Sequence, residues 1–245
     1  MHKIKSRLPV LLSLLLAATA LADTTNTAIV PAFRAKPKFW LQRHTNYLQE
    51  AKQGPYDIVF LGDSITDFWH DRGSNVWNQY YAPRHALNLG IRGDLTQQVL
   101  WRIDNGELDG LHPKVLVLLL GTNNNGRDKP GKPVRNTPAE TIAGMTRVVQ
   151  EVREKLPETK ILLLAIFPRS IPGDPVRDKI AEVNRIISKL DDQRNVFYLD
   201  IGSKFLDDKG FFLPDSFRAD NLHPQAKGYD IWGAAVKDKL AELMK

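Results

Sequence analysis

The chain has 245 residues, a formal net charge of +6, 42% hydrophobic residues and no cysteine. A chain without cysteine forms no disulfide and uses no thiol chemistry. Three basic residues, Lys3, Lys5 and Arg7, come before the first acidic residue. Without them the net charge is 6 − 3 = +3, and basic and acidic residues are interspersed along the rest of the chain. Such a pattern is typical of a solvated surface and gives no reason to expect a nucleic-acid partner.

The first 22 residues have the pattern of a secretory signal. The three basic residues are followed by an apolar stretch from Leu8 to Ala18 and by Ala20-Leu21-Ala22, which matches a signal-peptidase site. We expect cleavage before Asp23 and a periplasmic or secreted protein. The alternatives are an uncleaved anchor or a short buried helix. The apolar stretch is shorter than the ~20 residues that a membrane-spanning helix requires, so no membrane span is expected.

Residues 23–37 are polar and contain Pro31 and Pro37, which predicts an extended N-terminal arm. Residues 38–245 are numerous enough for one domain with a sizeable core. A helix is predicted over 39–51 from the spacing of its apolar residues.

Further along the chain, short apolar runs alternate with longer amphipathic segments. The runs are continuous rather than alternating, as in strands that are buried on both faces. Regular alternation of strand and helix predicts an α/β fold with a single parallel sheet and helices on both sides. The predicted strands are Ile58–Leu61, Ala86–Leu89, Val115–Leu120, Ile161–Phe167 and Val196–Leu199, and the predicted helices are 94–106, 138–155, 175–191 and 224–243.

Polar motifs directly follow the first three predicted strands. They are Gly62-Asp63-Ser64, then residues 90–94 (GIRGD), then residues 121–124 (GTNN), and a fourth motif, residues 220–224 (DNLHP), precedes the last helix. Because parallel strands end at the same edge of a sheet, these loops should converge in one crevice, where open α/β sheets bind ligands. A long loop, 126–137, also leaves this edge.

The four motifs contain the parts of a serine nucleophile. A serine hydroxyl needs an adjacent base, which His223 can supply, and Asp220 can accept the other ring N–H of that histidine. Pro224 restricts the backbone of His223. The backbone N–H groups of Ser64 and Gly93 and the side-chain amide of Asn123 are suitable donors for an oxyanion.

Each motif alone has an ordinary explanation. Ser64 could cap a helix, residues 220–224 could form a helix-initiating turn, and the glycines and asparagines could belong to polar turns. The combination, in order and each beside a strand or helix end, favours catalysis. The serine is not in a G-x-S-x-G elbow, and no P-loop, dinucleotide loop or zinc-helix pattern occurs, so no cofactor or metal is expected.

The set of motifs resembles the SGNH, or GDSL-type, hydrolase family. The resemblance covers roughly residues 38–240 and is closest to the catalytic α subunits of platelet-activating factor acetylhydrolase and their secreted bacterial relatives. It is carried by the segments HALNLGIRGD, VLWRIDNGEL, KVLVLLLGTNN and DNLHPQAKGY.

The resemblance implies a three-layer α/β/α sandwich with five parallel strands and ester hydrolysis through an acyl-enzyme without a metal. It implies that Ser64 is the nucleophile, His223 the general base and acid, and Asp220 the residue that orients it, with Ser64, Gly93 and Asn123 as the oxyanion hole. Asp63 would brace the serine loop. A homodimer is a further arrangement that it suggests.

Two features depart from this family pattern. Arg92 replaces a glycine, and we expect it to pair with Asp94 on the surface, the alternative being contact with an anionic part of a substrate. Loop 126–137 is longer. The signal sequence would place the protein outside the cytosol, and the resemblance to secreted bacterial relatives then implies acetyl esters on carbohydrate as substrates. The alternatives are longer acyl chains, as for a lysophospholipase or thioesterase, and a non-catalytic glycan-binding protein.

Overall fold

The computed structural model describes residues 26–126 and 136–245. The predicted signal segment, 1–22, and most of loop 126–137 lie outside these residues. Among the described helices, none is both long and apolar enough to cross a membrane.

The core of the fold is a five-stranded parallel sheet with strand order β2-β1-β3-β4-β5. All five predicted strands are present, although the third and fourth end earlier than their apolar runs. In this register Gly62 lies beside Gly90 and Leu119, so the motifs that follow these three strands leave the sheet together. The strands are β1 (Ile58–Gly62), β2 (Ala86–Gly90), β3 (Val115–Leu119), β4 (Lys160–Leu164) and β5 (Val196–Leu199).

Seven α-helical segments accompany the sheet within residues 26–126 and 136–245. The helix predicted over 138–155 has those bounds, whereas the one predicted over 94–106 is shorter at both ends. The last helix begins two residues later than predicted, because Pro224 forms an isolated bridge with Phe217 instead. The helices are α1 (Phe39–Glu50), α2 (Ser64–Asp67), α3 (Ser74–Val76), α4 (Thr96–Asp104), α5 (Pro138–Lys155), α6 (Pro175–Ile187) and α7 (Ala226–Leu243).

The sheet has a hydrophobic core on each face, which gives three layers. Val59 and Leu61 pack on one side with residues of α1, α4, α5 and α6. Phe60 packs on the other side with Trp69, Trp77 and Trp232 and with residues of α7. The three-layer α/β/α architecture is therefore confirmed, and its strands are buried on both faces as their sequences predict.

The N-terminal segment that precedes α1 lies against α4. It contains a 3-10 turn, Thr27–Ile29, whose Ala28 carbonyl accepts a hydrogen bond of 2.7 Å from the Thr96 hydroxyl. The Phe33 ring packs on Trp101, which is only half-buried. This segment thus covers part of the helical layer on the α4 side of the sheet.

Candidate active site

Ser64 lies where β1 ends and α2 begins. Asp63 is the N-cap of this short helix, and its carboxylate accepts a hydrogen bond of 2.9 Å from the Ile65 N–H. A cap of this kind satisfies one of the unpaired donors of the first helical turn. Ser64, the next residue, is only 6% exposed and lies at the carboxyl edge of the sheet.

The hydroxyl of Ser64 faces the imidazole of His223. The Ser64 Oγ is 3.0 Å from His223 Nε2, and His223 Nδ1 is 2.8 Å from Asp220 Oδ2. Ser64 and the turn that carries Asp220 and His223, which are far apart in the sequence, therefore form one continuous hydrogen-bonded chain. In this chain a proton can move from the hydroxyl to the ring while the carboxylate holds the opposite nitrogen.

The loop that carries His223 is fixed by its own backbone. Asn221 adopts a left-handed conformation (φ 50°), and the His223 carbonyl accepts a hydrogen bond of 2.9 Å from the Arg218 N–H. The Asp220 Oδ1 atom accepts the N–H groups of Leu222 (3.1 Å) and His223 (3.0 Å). The ring is held in place by this turn, consistent with a group that must approach Ser64 closely.

The ionisation of Asp220 is favoured by the same contacts. Partial burial raises its pKa, but the hydrogen bonds from the His223 ring and from the two backbone N–H groups outweigh burial and lower it overall. A carboxylate of this kind stays charged at neutral pH and stabilises a protonated histidine beside it.

Asn123, one of the predicted oxyanion donors, bridges the loops that follow β1 and β2. Its Nδ2 donates to the Asp94 carbonyl (2.9 Å) and approaches Asp63 Oδ2 at 3.4 Å. Gly93, a second predicted donor, has a positive φ of 80°. The left-handed conformation turns the backbone at this point, where glycine avoids strain. The structure thus places Gly93 and Asn123 on adjoining loops at the sheet edge that carries Ser64.

Asp63 is buried, and burial raises its pKa to about 7, with a further rise from the Asp94 charge and an opposing effect of the Ile65 N–H. Its cap and its contact with Asn123 agree with the bracing position expected for it. It does not touch the His223 ring through any hydrogen bond found among the described residues.

The model of the GDSL-like lipase/acylhydrolase family matches residues 60–231, which include all the site residues above. The chain belongs to this family. A rat relative, platelet-activating factor acetylhydrolase IB subunit alpha2 (Rattus norvegicus), is 35% identical over 192 residues, which are 78% of each chain. Family membership of this kind makes the protein an ester hydrolase.

Solved structures agree with the fold. A GDSL-like lipase from Bacteroides thetaiotaomicron superposes with a TM-score of 0.66 at 18% identity, over 81% of this chain and 97% of the other. An acetylxylan esterase from Geobacillus stearothermophilus gives a TM-score of 0.60 at 20% identity, over 76% of this chain and 93% of the other. At these identities the likeness concerns the fold alone.

Beneath the site of this acylhydrolase lies a buried charge network that sequence reasoning missed. Arg102 of α4 is fully buried and pairs with Glu107 and, at 2.9 Å, with Asp94. Arg102 also donates to the carbonyls of Leu89 (2.9 Å) and Gly62 (3.2 Å). It therefore ties the ends of β1 and β2 to the loop that carries Gly93. The sequence signal was an arginine among the apolar residues of an amphipathic helix.

The expected pairing of Arg92 with Asp94 is wrong. Arg92 Nε instead contacts Asp67 Oδ2, and its guanidinium lies over the Phe68 ring at 4.4 Å. Asp94 is unavailable at the surface because it is buried, where it accepts the Trp40 indole N–H and pairs with Arg102. The cation of Arg92 consequently lies beside the residues that contact the site.

Two histidines outside the site, His44 and His70, make packing or polar contacts elsewhere in the fold. The buried His44 ring is 3.0 Å from Glu107, and the His70 ring lies 5.3 Å from that of Trp77. No group of three or more His, Cys, Asp or Glu side chains suited to a metal ion occurs within residues 26–126 and 136–245.

Proposed function

We propose that this GDSL-type acylhydrolase is an exported serine esterase that removes short acyl groups, in particular acetyl groups, from carbohydrate. The observation that carries the catalytic part is the chain from Ser64 Oγ through the His223 ring to Asp220, with distances of 3.0 and 2.8 Å. Export is supported by the signal-like pattern of residues 1–22.

In the proposed reaction His223 Nε2 accepts the proton of Ser64 as its oxygen attacks the ester carbonyl. The new C–O bond gives a tetrahedral oxyanion, and its collapse breaks the bond to the alcohol, which leaves with the proton from His223. Water then attacks the acyl-enzyme with His223 again as the base, releasing the carboxylic acid and free Ser64. Asp220 stabilises the imidazolium in both halves.

The oxyanion would be bound by the N–H groups of Ser64 and Gly93 and by the amide of Asn123. The Asp94 carbonyl already accepts a hydrogen bond from Asn123 Nδ2 and so fixes the amide plane. Donors that are oriented before the reaction contribute most, because they need not reorganise when charge develops.

The proposed substrate class is suggested by the names of one relative and one structural neighbour. One is named as an acetylhydrolase of platelet-activating factor and the other as an acetylxylan esterase. Because the relative is named for platelet-activating factor, lipid-like esters are a second candidate substrate. The proposed export favours a carbohydrate ester over a lipid-like one.

The test is hydrolysis of p-nitrophenyl acetate, butyrate, octanoate and palmitate by the wild type and by Ser64→Ala. We expect activity on acetate that falls steeply with acyl length and drops by ~10³-fold or more in the variant. Ser203→Ala, at an exposed serine of another segment, is the matched control and should retain full activity.

Three results would change the proposal. Full activity of purified Ser64→Ala would refute the nucleophile. Rates that rise with acyl length would favour the lipid candidate. Inactivity of the wild type on every ester, combined with polysaccharide binding and no labelling of Ser64 by a phosphonate, would favour a glycan-binding protein.

A further inference from the structure

A cavity lined by two arginines lies at the rim of the proposed active site. Its volume is about 360 Å³, and it is lined by Phe39, Gln42, Arg43, Asn46 and Arg92. Four of these residues come from α1, and Arg92 comes from the loop that follows β2 and carries Gly93 at the next position. Four of the five lining side chains end in polar groups and two of these are cationic, which suits a charged group better than an acyl tail.

The cavity lies within reach of the reacting atoms. The Arg92 guanidinium carbon is 4.4 Å from the centre of the Phe68 ring, which is itself 5.3 Å from the centre of the His223 ring. The cation therefore lies within about 10 Å of the imidazole that faces Ser64. A group attached to the alcohol part of an ester can span such a distance.

Both arginines are held in place by a single buried carboxylate. Asp67, which is 2% exposed, contacts Arg92 Nε through one oxygen and Arg43 through the other at 2.9 Å. Among the described residues, Asp67 is the one carboxylate in direct contact with these two cations, and Glu50 interacts with Arg43 at longer range. A third cation, Arg72, lies 4.1 Å from the Phe68 ring centre. The Arg92 backbone is fixed as well, because its carbonyl accepts a hydrogen bond of 2.9 Å from Arg34.

The donors that remain face solvent. The side chain of Arg92 is 47% exposed and that of Arg43 is 35% exposed. The terminal nitrogens of Arg92 donate no hydrogen bond to any acceptor in the described part of the chain. A planar guanidinium with free N–H groups in a cavity recognises carboxylate or phosphate oxygens.

We propose that Arg92 and Arg43 form an anion-binding subsite that selects esters whose alcohol part carries a carboxylate or a phosphate. The inference rests on the proposed function and specifies its substrate as an acylated acidic carbohydrate. The carboxylate of a uronic acid is the form that we favour for a polysaccharide substrate. The subsite accounts for an arginine at a position where the resembled subunits have glycine.

The test compares a charged and a neutral ester of similar shape, 4-acetoxybenzoate and methyl 4-acetoxybenzoate. The measured quantity is the ratio of their kcat/KM values, so that intrinsic differences in reactivity cancel between proteins. We expect this ratio to fall roughly 3–10-fold in Arg92→Gln and in Arg43→Gln, the range for a charged contact that solvent partly screens. Arg92→Lys, which keeps the charge, should recover part of the preference.

Arg84→Gln is the matched control. Arg84 is an exposed arginine that precedes β2, at the end of the sheet opposite the site, and it donates to the Tyr80 carbonyl. The ratio should be unchanged in this variant. Because Arg43 lies on α1, its variant keeps the test informative even if Arg92→Gln disturbs the neighbouring Gly93.

Salt and binding measurements complete the test. Raising NaCl to 0.5 M should lower the wild-type ratio, because salt screens exposed charges. Ser64→Ala should bind an acetylated galacturonate trimer more tightly than acetylated xylotriose, and 4-acetoxyphenyl phosphate in place of the benzoate distinguishes phosphate from carboxylate.

Ratios within twofold of the wild type in both Arg43→Gln and Arg92→Gln would overturn the subsite while leaving the esterase intact. Failure of the wild type to hydrolyse either ester would instead count against the proposed function. The two failures are therefore distinguishable.

Discussion

Replacing Arg102 with leucine should destabilise the protein strongly, because it removes the cation that faces two buried carboxylates. Arg102, Asp94 and Glu107 are all fully buried, and Arg102 pairs with both acids. Removing one partner of a buried ion pair costs about 3–5 kcal/mol, since a charge is left without compensation. The carbonyls of Leu89 and Gly62 would lose their hydrogen bonds from Arg102 as well.

The expected loss can be read from thermal unfolding followed by circular dichroism. For a chain of this size, 1 kcal/mol corresponds to a shift of about 2–4 °C in Tm, so Arg102→Leu should lower Tm by roughly 6–20 °C at pH 8. Lys155→Met is the control. It breaks an exposed pair with Asp109 (2.9 Å) and should cost less than about 1 kcal/mol.

The Tm difference between Arg102→Leu and the wild type should decrease as the pH falls. Burial raises the pKa of Asp94 to about 7, although the charge of Arg102 opposes the rise. Without Arg102 this pKa rises further above its value in the unfolded chain, so the folded variant takes up a proton as the pH falls. The Tm difference from the wild type should therefore be largest above pH 7 and smaller near pH 5. A variant that melts within 3 °C of the wild type at pH 8 would refute the reasoning.

Two further variants, Asp220→Asn and Gly90→Ala, test the site and its support. Asp220→Asn should lower kcat/KM on a short ester by ~10²–10⁴-fold, because an amide cannot stabilise the His223 imidazolium, and steady-state kinetics that show less than a tenfold fall would contradict this. The contacts of Asp220 lower its pKa in the folded protein below the value in the unfolded chain. The ionised carboxylate therefore stabilises the fold at neutral pH, and this stabilisation is lost as the pH falls from the unfolded pKa through the folded pKa. Urea unfolding should therefore show a weaker acid dependence in this variant. Gly90→Ala should lower the urea midpoint clearly, since a Cβ there would lie 2.2 Å from the Asp67 backbone nitrogen, and an unchanged midpoint would show that α2 can move.

The strands could be predicted because a strand that is buried on both faces has apolar residues at every position. The run from Ile58 to Leu61 is apolar at every position, and all of it is buried. The ends of the strands could not be predicted in the same way. Ala165, Ile166 and Phe167 continue the fourth run and are buried too, but they lie beyond β4. An apolar run indicates which residues are buried. Because burial continues beyond the last residue of a strand, the run does not show where the strand ends.

The members of the candidate site could also be predicted, since parallel strands bring their carboxyl ends together. Ser64 lies at that edge, and His223 and Asp220 reach it from the turn that precedes α7. Their catalytic roles remain predictions. What the sequence could not provide was the partner of each charge. Arg92 and Asp94 are two residues apart, yet they face different environments because Asp94 points inward to Arg102.

The glycine before Asp63-Ser64 has a steric reason. A Cβ on Gly62 would lie 2.3 Å from the Leu119 carbonyl oxygen and 2.3 Å from the Thr66 hydroxyl, distances that side-chain carbons do not tolerate. The same holds where β2 ends, since Gly90 faces the backbone of α2. The short helix that begins with Ser64 is therefore seated directly on the ends of two strands, and both must end in glycine for it to fit.

This seating holds Ser64 in place at the junction between β1 and α2. The underside of α2 rests on the sheet, its N-terminus is capped by Asp63, and its Ile65 carbonyl accepts a hydrogen bond of 2.7 Å from Tyr229 of α7. A nucleophile gains rate from being held in its attacking geometry before the substrate arrives. The Gly-Asp-Ser sequence is thus needed for α2 to pack on the ends of the strands. The same packing places Ser64 in a position suited to acyl transfer.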